Sequence, residues 1–192
     1  MTNRKTRLLS LLLASVMTLA LLSGCSKDTG SSSGNSGKGK DSLVVATMSE
    51  TPSMGPYDHN AVAGDYMNQL VYSSLFETDA DLNPVPELVD TYENTSDTEW
   101  LFHLKQGVKF HDGSDFTAED VKFTWEYAST TENDGITQPI TGVSMVDEVV
   151  VDDPYTVTFK LNTSSADWLY YAAQDIICKN AIETKGFEEG SA

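Results

Sequence analysis

Basic residues are scarce in this sequence, and arginine is absent after Arg7. The 192 residues include 12 lysines and arginines against 29 aspartates and glutamates, which gives a formal net charge of −17. A protein that binds nucleic acid needs a basic surface to neutralise phosphates, so the composition argues against nucleic acid as a partner. Adhesion to an anionic membrane surface is disfavoured for the same reason. Such acidity is typical of a secreted protein kept in solution by its charge.

Cysteine is also scarce, with only Cys25 and Cys178. Cys178 follows Ile176 and Ile177, a setting typical of a small buried side chain. A catalytic thiol needs a nearby histidine base, and no sequence feature places one beside Cys178. The Gly-x-Ser-x-Gly turn of serine hydrolases is missing as well. The sequence therefore predicts a protein that is not an enzyme.

The N-terminus carries a three-part pattern. Basic residues lie within the first seven positions, an apolar core follows over residues 8–22, and small residues then lead to Cys25. So short an apolar run predicts a cleaved signal peptide over residues 1–24 rather than a spanning helix, with an uncleaved anchor as the alternative. The string Leu-Ser-Gly-Cys at residues 22–25 resembles the lipobox of bacterial lipoproteins. That resemblance implies that Cys25 becomes the lipidated N-terminus.

Residues 25–41 contain the lipidated cysteine and then a stretch dominated by Ser, Gly and Lys. Because this stretch offers no apolar side chain to bury, we expect a flexible tether. The folded part is expected over residues 42–192.

Periodicity in the folded part predicts mixed helices and antiparallel strands, the α+β class. Spacing of about four residues predicts one helix, and Thr117 with Asp120 predicts the capped start of another. Alternating or β-branched runs predict strands. The predicted helices are 62–76, one that begins at Thr117, and 167–173; the predicted strands are 42–47, 100–105, 108–110, 142–151, 155–161 and 175–178.

Four stretches in this order carry a family resemblance. They are Leu75-Phe-Glu-Thr-Asp with Asn83-Pro-Val-Pro-Glu-Leu, residues 92–113, Phe116-Thr-Ala-Glu-Asp-Val with Phe123-Thr-Trp, and residues 149–159. The chain resembles the family 5 extracellular solute-binding proteins, the oligopeptide, dipeptide and nickel-binding group. The resemblance covers about residues 42–189, and the string from Leu104 to Val121 is its most specific part.

The resemblance implies a periplasmic-binding-protein-like type II fold, of which this chain holds the first lobe and accessory domain only. It implies a monomer without cofactor, lipid-anchored to the cell membrane on the extracytoplasmic side. Such a protein captures an oligopeptide or dipeptide and delivers it to the permease of an ABC importer. Alternatives are another solute on the same fold (a nickel complex, haem or an oligosaccharide), a surface hydrolase, or an adhesive lipoprotein.

In that family the loop after the first strand borders the ligand cleft, which here corresponds to residues 48–57. Free backbone groups at a strand end can pair with an extended peptide, and Glu50 could attract its ammonium group. Related chains often read Leu-Asp-Pro where this chain reads Met54-Gly-Pro. The candidate ligand-binding residues are Ser49, Glu50, Thr51, Pro52, Ser53 and Met54.

No metal site is expected. The spacing of His103, His111 and Asp112 is unlike compact zinc motifs. Residues 79–83 begin like a calcium loop, but Pro84 stands at the sixth position, where glycine is needed.

Overall fold

The computed structural model describes residues 44, 46, 48, 53–58, 62–133 and 135–187. The predicted signal peptide, Cys25, the tether and most of the predicted strand 42–47 lie outside these residues. Among the helices of the described part, none combines the length and apolar character that crossing a bilayer requires.

The described part contains four α-helices, six strands and one 3₁₀ turn. The helices are short, and the longest have ten residues each. In chain order the elements are α1 (Val62–Val71), β1 (Phe76–Thr78), β2 (Pro84–Pro86), β3 (Val89–Ser96), β4 (Glu99–Leu104), α2 (Ala118–Tyr127), the 3₁₀ turn (Val143–Met145), β5 (Val146–Asp153), β6 (Thr156–Leu161), α3 (Trp168–Tyr171) and α4 (Lys179–Lys185).

The strands form two antiparallel sheets. β1 and β2 pair as a small hairpin, and the other four form a sheet in the order β3-β4-β6-β5. All pairs in the larger sheet are antiparallel, so β3 and β5 are its two edges. The fold is mixed α and β, as predicted.

The core lies between the larger sheet and α2. Val157, Phe159 and Leu161 alternate on β6 and are buried, because alternate side chains of a strand share one face. Trp125 of α2 contacts Phe159 edge to face, with 4.9 Å between ring centroids. Phe102 of β4 packs against the same ring at 5.3 Å. These aromatic contacts fix α2 on the sheet.

A buried carboxylate joins the start of α2 to the start of α4. Oδ2 of Asp120 accepts hydrogen bonds from the backbone N–H and hydroxyl of Thr117, both at 3.0 Å. Its Oδ1 accepts one from the N–H of Lys179 at 3.1 Å. The Thr124 hydroxyl donates to the Asp120 carbonyl at 2.7 Å and accepts from the N–H of Ile177 at 3.1 Å. Burial raises the pKa of Asp120, against the lowering effect of these donors.

The predictions are confirmed for those helices and strands that pack one face against the core. The helix after Thr117, the strands near 100–105 and 155–161, and the short helix within 167–173 are all present. The predicted strand 142–151 is shifted, because residues 143–145 form the 3₁₀ turn before β5.

The prediction of a helix over residues 62–76 is wrong over its last five residues. α1 ends at Val71, and the backbone then turns to other partners. The carbonyl of Ser73 accepts from the N–H of Ile176 at 3.0 Å, and Ser74 forms a bridge with Asp175. Phe76 begins β1.

Two predicted strands are reduced to single bridges. Residues 108–110 contribute only the pair Lys109 and Asp115, and residues 175–178 contribute only Asp175 with Ser74. Conversely, β3 and the β1–β2 hairpin were not predicted. β3 has seven exposed residues out of eight, so it shows no alternation between apolar and polar residues.

Candidate functional site

A cleft with a volume of about 520 Å³ opens beside α1 and the loop at residues 53–58. Its walls come from α1, the β1–β2 hairpin, the residues just before β3, and the segment between α3 and α4. The lining residues are mostly polar: Pro56, Asp65, Asn68, Gln69, Tyr72, Ser74, Phe76, Glu77, Thr78, Glu87, Ala173 and Asp175.

Ser74 organises two of the carboxylates in this cleft. Its hydroxyl donates to Oδ1 of Asp175 at 2.9 Å, and its backbone N–H donates to Oε2 of Glu87 at 2.6 Å. The carbonyl of Ser74 accepts from the N–H of Leu88 at 3.1 Å, which fixes the backbone beside Glu87. The two carboxylates are therefore held at one place by a short polar segment.

The cleft is strongly acidic. Its described lining contains the carboxylates of Asp65, Glu77, Glu87 and Asp175, and it contains no lysine, arginine or histidine. Burial raises the pKa of Asp175, and the negative charges of Glu87 and Asp65 raise it further against the hydrogen bond from Ser74. The negative charges beside Asp175 create a negative potential that a cation relieves.

The loop at residues 53–58 is tied to the cleft through Tyr57. The Tyr57 hydroxyl donates to the carbonyl of Asp175 at 2.6 Å. The Tyr57 carbonyl accepts from the N–H groups of Thr137 and Gln138, both at 2.8 Å. Burial raises the pKa of Tyr57 well above its ordinary value, and Asp175 raises it further, so the phenol stays protonated as a donor. The loop is thus anchored on two sides.

Two of the six predicted ligand residues, Ser53 and Met54, lie in this loop. Ser49, Glu50, Thr51 and Pro52 lie outside the described residues. The Ser53 hydroxyl donates to the carboxylate of Asp58 within the same loop.

Met54 is partly exposed. Neither Ser53 nor Met54 lines the cleft, whereas Pro56 does. The assignment of ligand contacts to residues 49–54 stays a prediction.

The carboxylates of the cleft were not predicted from the sequence. Asp65 and Asp175 belong to no motif. Glu87 lies in the stretch from Asn83 to Leu88 that carries part of the family resemblance, but the three carboxylates lie far apart in the chain. Only Asp175 carries a local signal, since it is an acidic residue directly before the apolar pair Ile176 and Ile177. Asp175 is partly buried, and an acidic residue in such a position is a candidate functional residue.

Residues that could suggest a metal are engaged otherwise. His103 Nδ1 lies 3.3 Å from the hydroxyl of Thr156 across β4 and β6. Asp79 Oδ1 accepts from the backbone N–H groups of Asp81 and Asn83 at 2.9 and 2.7 Å, which closes the turn of the β1–β2 hairpin. The hydrogen bond from the Asn83 backbone chiefly lowers the pKa of Asp79. Within the described ranges no group of three or more His, Cys, Asp or Glu side chains is placed to hold a metal ion.

A second cavity of about 310 Å³ is also lined by Tyr72. Its lining mixes apolar residues with charged and polar ones and includes Cys178, which is buried. The thiol lies 3.5 Å from the Ser114 hydroxyl and 3.9 Å from a carboxylate oxygen of Asp112. The hydroxyl of Ser114 donates to Asp112 at 2.6 Å, so these three polar groups bind one another.

The cleft is arranged for binding. Its carboxylates can attract a cationic group and accept its hydrogen bonds. The described lining contains no cysteine, lysine or histidine that could act as nucleophile or base beside them.

Comparison with known proteins gives the family. The model of the bacterial extracellular solute-binding proteins, family 5 Middle, matches residues 83–190, which is more than half of the chain. The glutathione-binding protein GsiB of Pectobacterium atrosepticum is 34% identical over 151 residues, covering 77% of this chain and 29% of that protein. The oligopeptide-binding protein AppA of Bacillus subtilis is 32% identical over 171 residues, covering 84% of this chain and 30% of that protein.

A solved structure shows the same fold over part of its length. The oligopeptide-binding protein AppA from Bacillus subtilis, in complex with a nonapeptide, matches with a TM-score of 0.63 and 24% identity. The match covers 72% of this chain and 28% of that one. The chain therefore spans about 30% of the length of the relatives it matches. The chain belongs to the bacterial extracellular solute-binding proteins of family 5.

Proposed function

We propose that this chain is part of an extracytoplasmic receptor that captures peptides for the permease of an ABC importer. The observation that carries the proposal is the acidic cleft beside the loop at residues 53–58. The cleft occurs in a chain that belongs to the solute-binding family. A relative described as oligopeptide-binding and one described as glutathione-binding support a peptide-type solute.

The charge of the cleft favours the amino end of the peptide. A free N-terminal ammonium would face Asp65, Glu87 and Asp175 and would offset the negative charge that Glu87 and Asp65 place beside Asp175. At 4 Å an ammonium and a carboxylate attract each other by about 4 kcal/mol near a protein surface, before the cost of desolvation. A net gain of about 1.4 kcal/mol is enough for a tenfold difference in affinity.

The proposal includes a closing motion and a location. A second lobe would cover the peptide, and the peptide would shift an existing equilibrium toward the closed form that a permease recognises. Cys25 would carry a lipid, and residues 26–41 would tether the lobe to the outer side of the cell membrane. The described chain would supply only one side of the proposed two-lobed binding site, so we expect the 192 residues alone to bind peptide weakly or not at all.

The test is isothermal titration calorimetry on a polypeptide that continues to the length typical of the relatives. Trialanine should bind at least tenfold more tightly than N-acetyl-trialanine, which lacks the ammonium group. Asp65→Asn should weaken trialanine binding about tenfold and leave the affinity for the acetylated peptide unchanged. Asp65 is exposed on α1, so this change should not disturb folding.

Asp97→Asn is the matched control, because Asp97 is an exposed carboxylate in the turn between β3 and β4, away from the cleft. It should leave both affinities unchanged. Equal affinity for the free and acetylated peptides would refute the role of the acidic cleft. Tight binding of a nickel–histidine complex or an oligosaccharide, with no peptide bound, would replace peptide by that solute.

A further inference from the structure

Phe187 is a buried aromatic residue directly after α4. Gly186 ends this helix with φ at +80°, and its N–H donates to the carbonyl of Ile182 at 2.9 Å. The chain then turns inward, so that only 2% of Phe187 is exposed. Its ring stacks on that of Tyr127 from α2, with 6.2 Å between the ring centroids and 5° between the planes. The ring is thus held by α2 as well as by α4.

Two glycines from other segments lie against this ring. A Cβ built on Gly55 would lie 2.7 Å from a carbon of the Phe187 ring, and one built on Gly135 would overlap the ring itself. A tightly packed interior has no space for an added methyl group at such positions. Gly55 belongs to the loop at residues 53–58, and Gly135 to the segment between α2 and the 3₁₀ turn. One side chain therefore contacts both segments at once.

The same two segments are also joined by backbone hydrogen bonds. The N–H groups of Thr137 and Gln138 donate to the Tyr57 carbonyl, both at 2.8 Å. Thr137 and Gln138 are exposed residues, so we expect these two bonds to be what protects their amides from exchange with water. The two amides therefore report whether the loop is in place.

The loop is in turn bonded to residues of the acidic cleft. The side chain of Asn68 donates to the Gly55 carbonyl at 3.5 Å, and the Tyr57 hydroxyl donates to the Asp175 carbonyl at 2.6 Å. Asn68 and Asp175 line the cleft, and so does Pro56 of the loop itself. A displacement of the loop therefore changes the shape of the cleft and the position of one of its carboxylates.

We propose that Phe187 is a positioning residue of the solute-binding site. Its ring sets the separation between the loop at residues 53–58 and the segment at residues 135–138, and through Tyr57 it fixes one wall of the cleft. Phe187 is not part of the described cleft lining, so it acts through the loop and not by touching the solute. Its effect on affinity rests on the proposed function, whereas its effect on the loop does not depend on which solute binds.

Hydrogen exchange at single-residue resolution tests the effect on the loop without a ligand. Leucine is smaller than phenylalanine and would leave a void beside both glycines. In the polypeptide used for calorimetry, Phe187→Leu should speed the exchange of the Thr137 and Gln138 amides by about tenfold or more. The Ile140 amide is the internal control, because it donates to the Ala128 carbonyl at 2.9 Å and should exchange at an unchanged rate.

A second buried phenylalanine separates positioning from a general loss of stability. Phe116 is 1% exposed and packs against Phe110, with 6.1 Å between the ring centroids. Phe116→Leu should lower the melting temperature, as Phe187→Leu does, and leave the exchange of Thr137 and Gln138 unchanged.

Calorimetry measures the effect on the site. Phe187→Leu should reduce the preference for trialanine over N-acetyl-trialanine from at least tenfold to below about threefold, because Asp175 is no longer held by Tyr57. Phe116→Leu should keep the full preference. In a Tyr57→Phe background the preference should no longer respond to Phe187→Leu, since the link to Asp175 is already cut.

Gly55→Ala tests the same contact from the other side, and it decides the matter if Phe187→Leu does not fold. The added methyl group should displace the loop and speed the exchange of Thr137 and Gln138. Combined with Phe187→Leu, which makes room for that methyl group, it should exchange more slowly than Gly55→Ala alone. Rates in the double variant equal to the product of the two single effects would contradict direct contact.

Two results would overturn the inference. One is unchanged exchange of Thr137 and Gln138 in Phe187→Leu, or in Gly55→Ala. The other is equal acceleration in Phe116→Leu, which would make the effect one of general stability. Failure of the unsubstituted polypeptide to bind either peptide would refute the proposed solute instead, so the two failures are distinguishable.

Discussion

Replacing Asp120 by alanine should destabilise the chain more than any change at a neighbouring surface carboxylate. The substitution removes the acceptor for the backbone N–H groups of Thr117 and Lys179, at 3.0 and 3.1 Å. A buried donor left without an acceptor costs about 1–3 kcal/mol. Removing the Asp120 carboxylate also removes the free-energy cost of burying its charge. The raised pKa of Asp120 is the sign of that cost. We therefore expect a net loss of about 2–4 kcal/mol for the two donors together.

Urea unfolding at neutral pH, followed by circular dichroism, measures this loss as a lower midpoint with an unchanged slope. Glu119→Ala is the control, because Glu119 is the adjacent residue and its carboxylate pairs only at the surface with the Lys179 ammonium at 3.1 Å. Exposed pairs contribute about 0–1 kcal/mol. If Asp120→Ala costs no more than Glu119→Ala, the carboxylate does not join α2 to α4.

Three further changes have defined outcomes. Gly135→Ala should lower the free energy of unfolding in urea by about 2–5 kcal/mol, because φ is +73° and the new Cβ would lie 2.0 Å from Phe187. Gly113→Ala, at φ +88°, meets nothing within 4 Å and should lower it by only about 1–2 kcal/mol. Equal losses for the two variants would contradict the predicted overlap with Phe187. Burial raises the folded-state pKa of Asp175, so the stability that this residue contributes is complete below about pH 4 and is lost as the pH rises through the raised pKa. The urea midpoint of Asp175→Asn should therefore rise relative to that of the wild type as the pH increases above about 4, and a constant difference between the two midpoints would refute that sign. Cys25→Ser should abolish membrane association in cell fractionation and intact-protein mass spectra should lose the acyl mass; an unchanged membrane fraction would argue for an uncleaved anchor.

The sequence predicted those parts of the fold in which one face of an element meets the core. β6 is the clearest example, because Val157, Phe159 and Leu161 alternate with polar residues in the chain and in the structure. The start of α2 was equally readable, since Thr117 and Asp120 have the spacing of a cap. At such positions the residues adjacent in the chain are sufficient to predict the secondary structure.

Prediction failed where pairing across the chain decides the conformation. The end of α1 is set by the partners of Ser73 and Ser74, which lie about 100 residues away at Asp175 and Ile176. No local signal reports such partners. The spacing of apolar residues predicted α1 correctly. Whether those residues are buried, however, depends on what the helix packs against.

The acidic cleft could not be predicted for the same reason. Asp65, Glu87 and Asp175 come from three separate segments, and only the fold brings them together. The family motif from Leu104 to Val121 lies elsewhere and supplies buried residues such as Phe116 and Val121. The string from Leu104 to Val121 thus supplies mainly core residues, and the carboxylates of the cleft lie outside it.

The polar edge strand β3 has a consequence for how one copy of the protein meets another. Its outermost backbone groups are open to pairing with any extended chain, which is a route to fibrils. Asp90 and Glu93 on β3, with Asp147 and Asp152 on the opposite edge, put negative charge on both borders of the sheet. Two molecules that approach border to border bring like charges together, so the sheet resists growing into an aggregate.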